Sequence, residues 1–251
     1  YDEVTGASSY TKLGYNALNM NIAYKLYSLY SRTIIFTYLT YEKADNTEML
    51  NYQNDGLLHS QNYMDGGKKE TVNATLYANK GLGNLPIDAK LTTTFLWNRN
   101  EIAYNSIPFK MLVGNLKTDL GFVSRFKIPF NVEIDGLYNK LTNKVTDLNI
   151  DSGDKEFGGT AKLIFAKNKF ASFVTGKWNK IENTSGSKIL RDIDFSISYK
   201  IKKFTCKLSG TNIFHLNGIN WLKQNVTPTY TSYVRYKQHS GNVMLSLTYQ
   251  L

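Results

Sequence analysis

GNVMLSLTYQL, residues 241–251, places Val243, Leu245, Leu247, Tyr249 and Leu251 on one side of an extended chain and Met244, Ser246, Thr248 and Gln250 on the other. Successive side chains of a strand point to opposite faces, so this stretch reads as a strand with one apolar and one polar face. The same period of two runs through most of the chain. Val72, Ala74, Leu76 and Ala78 alternate with Asn73, Thr75 and Tyr77, and Ile87, Ala89, Leu91, Phe95 and Trp97 oppose Asp88, Lys90, Thr92 and Thr94. Phe130, Val132, Ile134 and Tyr138 face away from Asn131, Glu133, Asp135 and Asn139; Ile193, Phe195, Ile197 and Tyr199 face away from Asp192, Asp194, Ser196 and Ser198. No helical periodicity competes, and the chain is expected to be all-β. Near residues 33 and 170 both faces carry apolar residues, and the register there stays open.

Composition agrees with strands and narrows the functions. The 251 residues include 18 Tyr and 13 Phe but only 4 Pro, and aromatic rings suit a pleated surface. A single cysteine, Cys206, allows neither an intrachain disulfide nor a cysteine-based zinc site. The formal net charge of +10 would suit a polyanion, but the lysines are dispersed. Lys25, Lys80, Lys127, Lys167, Lys169, Lys200, Lys202 and Lys203 fall at expected short turns, while Lys90, Lys117, Lys162 and Lys207 fall on polar strand faces near Asp119, Glu133 and Asp194. A dispersed rim is no nucleic-acid groove. His59, His215 and His239 lie in expected loops, with Asp55, Ser60 and Ser240 near in sequence, but nothing fixes a triad geometry. Neither catalysis nor a cofactor or metal is expected.

The connections decide where the polar face points. FKIPF (126–130), FAKNKF (165–170) and YKIKKF (199–204) are short, whereas 42–69, 139–156 and 214–240 are long and polar. Alternating short and long connections are the habit of outer-membrane barrels, whose apolar face meets lipid. Tyr24, Trp97, Phe122, Phe130, Tyr138, Phe165 and Tyr199 at strand ends resemble the girdles of such barrels. The expected fold is a transmembrane antiparallel up-and-down β-barrel. About eleven strands are expected, at 14–26, 33–42, 70–80, 87–99, 112–125, 130–140, 157–166, 169–180, 189–200, 203–213 and 241–251. An odd count with an outward start leads to the expectation that strands precede this chain, and eleven is half of a plugged barrel of roughly 22 strands.

CKLSGTNIF, a loop, and then YTSYVRYKQHSGNVMLSLTYQL, within residues 206–251, resemble the end of TonB-dependent outer-membrane receptors, especially the SusC-like branch. The family element matches Gly210, Thr211, Asn212, Ile213 and Phe214, followed by a Tyr/Thr-rich segment and a basic-Gly-aliphatic final strand. The family ends on Phe where this chain has Leu251. The resemblance implies that residues 1–251 are the C-terminal portion of an outer-membrane barrel without a plug domain. It also implies that Gly241, Val243, Leu245, Leu247, Tyr249 and Leu251 form an assembly-signal strand. By the same resemblance, the implied function is energy-coupled uptake of a glycan, peptide or chelate across a bacterial outer membrane. The implied partners are outer-membrane lipid, a missing N-terminal barrel half and plug, a surface lipoprotein and the TonB energy-coupling complex. A small complete barrel acting as a passive porin or structural protein, and a soluble β-protein binding an apolar ligand, remain alternatives. Loop aromatics Tyr52, Tyr63, Trp221, Tyr230 and Tyr233 are the candidate ligand contacts; they could stack on sugar rings or pack the loops together.

Overall fold

The computed structural model describes residues 16–54, 59–148, 150–183, 186–226, 231–238 and 240–249. Thirteen strands run in chain order: β1 (Asn16–Ser28), β2 (Thr33–Asn54), β3 (His59–Gly81), β4 (Ile87–Tyr104), β5 (Ile107–Ser124), β6 (Phe130–Val145), β7 (Ile150–Lys167), β8 (Phe170–Asn183), β9 (Gly186–Ile201), β10 (Phe204–Thr211), β11 (Ile219–Val226), β12 (Thr231–Gln238) and β13 (Asn242–Tyr249). β1 to β10 and then β13 pair in order as one antiparallel up-and-down sheet of 11 strands, and β11 and β12 form a separate hairpin. Among the described residues the sheet does not close: β1 pairs only with β2, and β13 only with β10. No helix among the described residues is long and apolar enough to cross a membrane.

The eleven strands of the main sheet agree with the expected number, while the β11–β12 pair was not expected and the expected long loops do not hold. Residues 42–54 and 59–69 belong to β2 and β3, and 139–145 and 150–156 to β6 and β7. The expected loop at 214–240 contains the β11–β12 hairpin. The sheet therefore has a near rim of short turns (29–32, 82–86, 125–129, 168–169, 202–203) and a far rim where hairpins run on. Past the apolar band both faces of a strand are polar, so the alternation that reveals a strand disappears while its backbone pairing continues.

Register explains how the apolar face is laid out. One hydrogen-bonded row runs Ile22, Leu39, Ala74, Phe95, Leu116 and then changes to Lys140 and Lys155. The border between apolar and charged residues therefore drifts across the rows. It stands at Tyr41 on β2, in the row of Val72, and at Ile193 on β9, whose row passes through Gly176, Ala161, Ile134, Phe122 and Ala89 to Lys80. From Val72 to Lys80 is a drift of eight residues over the seven steps from β2 to β9. The near rim drifts in parallel, since β2 opens at Thr33 in the row of Lys80 and β10 opens at Phe204, about one residue per strand further on. At about 3.3 Å per residue and about 4.8 Å between strands, such a drift inclines the strands about 35–40° from the normal to the band. From rim to border the band covers residues 33–41 on β2, 87–97 on β4, 130–138 on β6 and 170–178 on β8. With that inclination it stands about 21–26 Å tall.

Burial is inverted relative to a soluble sheet. Mid-band Leu163 and Val174 are 50% and 49% exposed, and Leu245 on β13 is 66% exposed, whereas polar-face Asp88 and Ser196 are 4% and 5% exposed. The total accessible surface is 17489 Å², against the roughly 11,000 Å² of a compact monomer of this mass. The excess belongs to a single layer whose apolar side no second layer covers.

Candidate functional site

Rings on the apolar face flank the band on both sides. Phe130 and Phe165 lie 4.7 Å apart, Phe165 and Phe170 5.6 Å, and Phe204 and Tyr249 4.8 Å at the near rim. Tyr138 and Phe157 lie 5.0 Å apart at the far border, where Trp97 and Trp178 occupy equivalent strand positions. Charge begins immediately beyond: Lys43 follows Tyr41, Arg99 follows Trp97, Lys140 follows Tyr138 and Lys180 follows Trp178 at the next same-face position of each strand.

The polar face is held by paired charges and amides. Lys117 meets Asp119 at 3.4 Å, Lys162 meets Glu133 at 3.2 Å, Lys177 pairs with Asp194, and the Asn179 amide donates to Glu156 at 2.8 Å. Of the four lysines expected on the polar face, Lys117 and Lys162 pair with Asp119 and Glu133, while Asp194 is paired by Lys177, which was not among them. Lys162 also sits 5.2 Å from the Phe173 ring centre. A chain of fixed, compensated charge suits a polar lining, since unpaired charges on a shielded face would be costly to desolvate.

Asp192 and Asp194 on β9 anchor the chain as it leaves β10, a role that sequence reasoning missed. Asn212 adopts a left-handed conformation with φ 50°, and its amide donates to Asp194 at 2.9 Å. The Phe214 amide donates to Asp192 Oδ1 at 3.1 Å, and the His215 ring Nδ1 lies 2.9 Å from Asp192 Oδ2. Asn212, Ile213 and Phe214 thus form a clamp where a short 3-10 turn (Ile213–His215) docks on β9. The signal was the pair of acids in RDID, two residues apart and so on one face. His215 is a clamp member here, and no group of three or more His, Cys, Asp or Glu suited to a metal occurs among the described residues.

The candidate ligand aromatics are divided. Tyr52 on β2 is half-buried, its carbonyl accepting from the Asn105 amide at 2.8 Å, and it pairs across the ladder with Gln61. Tyr63 pairs with Leu50, two positions along the same side of that ladder, and is 72% exposed. Trp221 and Tyr233 lie in β11 and β12, paired with Tyr236 and Gln224 at ladder positions of opposite parity. Tyr230 lies outside the described residues. The structure therefore brings Tyr52 and Tyr63 together on one hairpin and puts Trp221 and Tyr233 in another.

Of the candidate assembly strand, Val243, Leu245, Leu247 and Tyr249 continue the apolar face, opposite Gly210, Leu208, Cys206 and Phe204. Leu251 lies outside the described residues. Gly241 lets the chain return to β10: a Cβ there would lie 2.7 Å from the Thr211 carbonyl oxygen and nearer still to that of Asn212. No protein-family model matches the chain, and no curated protein matches it.

Proposed function

We propose that this chain is wall and surface hairpins of a bacterial outer-membrane β-barrel, and that the barrel is a TonB-dependent receptor importing a glycan, peptide or chelate. The observation that carries the membrane part is the exposed apolar band between two aromatic girdles. Its height of about 21–26 Å compares with roughly 25 Å in outer-membrane barrels, and its strand inclination of about 35–40° with roughly 35–45°. The polar face, carrying paired charges and amides, favours the same reading, because a lumen is polar where a soluble core is not. Two open edges favour a piece of a wider wall over a small complete barrel, since full closure alone removes edges. The uptake part is supported by the resemblance of residues 206–251.

Two measurements test the parts separately. Leu163→Arg places a charge mid-band. In phosphatidylcholine vesicles it is expected to destabilise the folded chain by about 2–4 kcal/mol in urea titrations, and polar-face Thr175→Arg by much less. Equal costs for the two variants sink the membrane reading. For uptake, intact mass of the native polypeptide extracted from outer membranes should greatly exceed the 28.6 kDa of this chain. A mass near that value would favour a passive or structural barrel instead.

A further inference from the structure

Charge is sorted between the two rims. Asp88 is the only carboxylate within two residues of any of the five near-rim turns, and Arg32 and Arg125 both lie against it. The β5–β6, β7–β8 and β9–β10 turns and their flanks carry Lys127, Lys167, Lys169, Lys200, Lys202 and Lys203, all exposed, and no Asp or Glu. Lys127, Lys167, Lys169, Lys202 and Lys203 make no ion pair among the described residues. At the far rim, by contrast, lysines alternate with acids, as Lys144 with Asp151 and Lys180 with Glu182.

The lysines act together. Ala166 N donates to Pro129 O and Lys200 N to Lys169 O, so backbone bonds hold the three turns side by side. Turns two strands apart stand about 10 Å apart, close to the roughly 8–10 Å over which salt screens exposed charge. The strip also adjoins the near girdle. Lys169 precedes Phe170, Lys203 precedes Phe204 and stands 5.9 Å from the Tyr249 ring centre, and exposed Phe126, Ile128 and Ile201 lie among the lysines.

We propose that the near rim from β5 to β10 is a contact surface for anionic phospholipid headgroups, of the phosphatidylglycerol type, in the leaflet on that side. Two observations choose this occupant. The charge has no counter-ion among the described residues, and the same tips carry apolar side chains continuous with the exposed band. Lysine stems lie along apolar surface while their ammonium groups reach out to anionic headgroups. An acidic protein in water would match the charge but leave Ile128 and Ile201 uncovered. The inference rests on the membrane reading above and adds a lipid preference to one of the two rims.

The test is fluorescence anisotropy of labelled phosphatidylglycerol, beside labelled phosphatidylcholine, each titrated with the detergent-solubilised full chain. Phosphatidylglycerol is expected to bind at least ~5-fold more tightly, and Lys127→Glu/Lys169→Glu/Lys202→Glu to abolish that preference. Lys127→Gln/Lys169→Gln/Lys202→Gln, which adds no negative charge and so guards against misfolding of the first variant, should reduce it by a smaller factor. Lys43→Glu/Lys68→Glu/Lys140→Glu, the same charge change at exposed far-rim positions, should leave it within about twofold. No preference in the unmodified chain, equal loss in the far-rim variant, or unchanged binding in both near-rim variants would overturn the proposal. Full displacement by free glycerol phosphate overturns it in favour of a plain anion site, and tighter binding of labelled polyglutamate overturns it in favour of an acidic protein partner. If the preference is absent while Leu163→Arg keeps its mid-band penalty, the membrane reading survives; if that penalty is absent too, both fall.

Discussion

The near rim and the far rim are built on opposite plans. At the near rim each turn is tied to its neighbour. The Gly81 amide donates to Arg32 O at 3.1 Å, Arg125 N to Pro86 O at 2.6 Å, Ala166 N to Pro129 O at 2.9 Å and Lys200 N to Lys169 O at 2.9 Å. Asp88, at the start of β4, holds three turns at once: Arg125 Nε lies 2.6 Å from one of its oxygens and Arg32 3.8 Å from the other, while Arg32 also donates to Leu85 O at 3.3 Å. At the far rim β2 and β3 run past the band, kink at Asn46 (φ 58°) and Gly66 (φ 92°), and lean on the β4–β5 tip. Buried Met49, Ile102 and Ala103 make a small core there, with Asn51 Oδ1 accepting from the Ser106 amide at 3.1 Å. A rim cross-linked turn to turn fixes that end of the sheet, and a rim of long hairpins that touch mainly at their tips can change length and composition with less disturbance to it.

That contrast breaks first at Asp88. Asp88→Ala leaves two arginines facing each other beside a shielded face, and is expected to lose about 2 kcal/mol, discounted because both guanidinium groups are half-exposed. Urea unfolding in detergent micelles measures it; a loss below ~0.5 kcal/mol would mean that the backbone bonds alone hold the near rim.

Gly241→Ala probes the far-rim connection that returns the chain to β10. The added methyl meets backbone carbonyls that no side-chain rotation can move away, so β13 must shift from β10, at a cost of about 1–2 kcal/mol. If thermal unfolding is unaltered, the return of the chain beside Thr211 is looser than its geometry indicates. Tyr63→Ala, at a ring 72% exposed on the β2–β3 hairpin, should by contrast leave unfolding unchanged within about 0.5 kcal/mol. Loss of stability there would make that ring a packing element and remove it from the ligand candidates.

How much of this was legible depended on whether a strand had one wet face or two. Within the band, Leu91, Phe95 and Trp97 against Asp88, Lys90 and Thr92 declare β4 outright, whereas β2 near residue 33 and β8 near residue 170, apolar on both faces, could be counted as strands but not given a register. Past Tyr41, β2 reads EKADNTEMLNYQN, polar on both sides, and only partner pairing makes it a strand. The β11–β12 hairpin was hidden in the same way. Pairing also decides the sites. Tyr52 and Tyr63 are eleven positions apart in sequence but neighbours on one ladder. The Asp192–His215 clamp joins residues across a strand boundary that spacing alone does not reveal.

The smallest effect sharpens the account of far-rim charge. Glu182 is held below the ordinary glutamate pKa, first by its hydrogen bond from Lys180 and then by that lysine's charge, with Lys155 a lesser influence. A lowered carboxyl pKa favours the folded chain above the unfolded-state value, and the benefit is lost as pH falls through the lowered value. Because the group is open to water, the shift should be visible in a carbon-detected titration of Glu182 without altering overall unfolding. In Lys180→Met the titration should move back toward ordinary glutamate. If it stays low, Glu182 has turned to Lys155, which faces it across the β7–β8 ladder and can replace Lys180 as its partner.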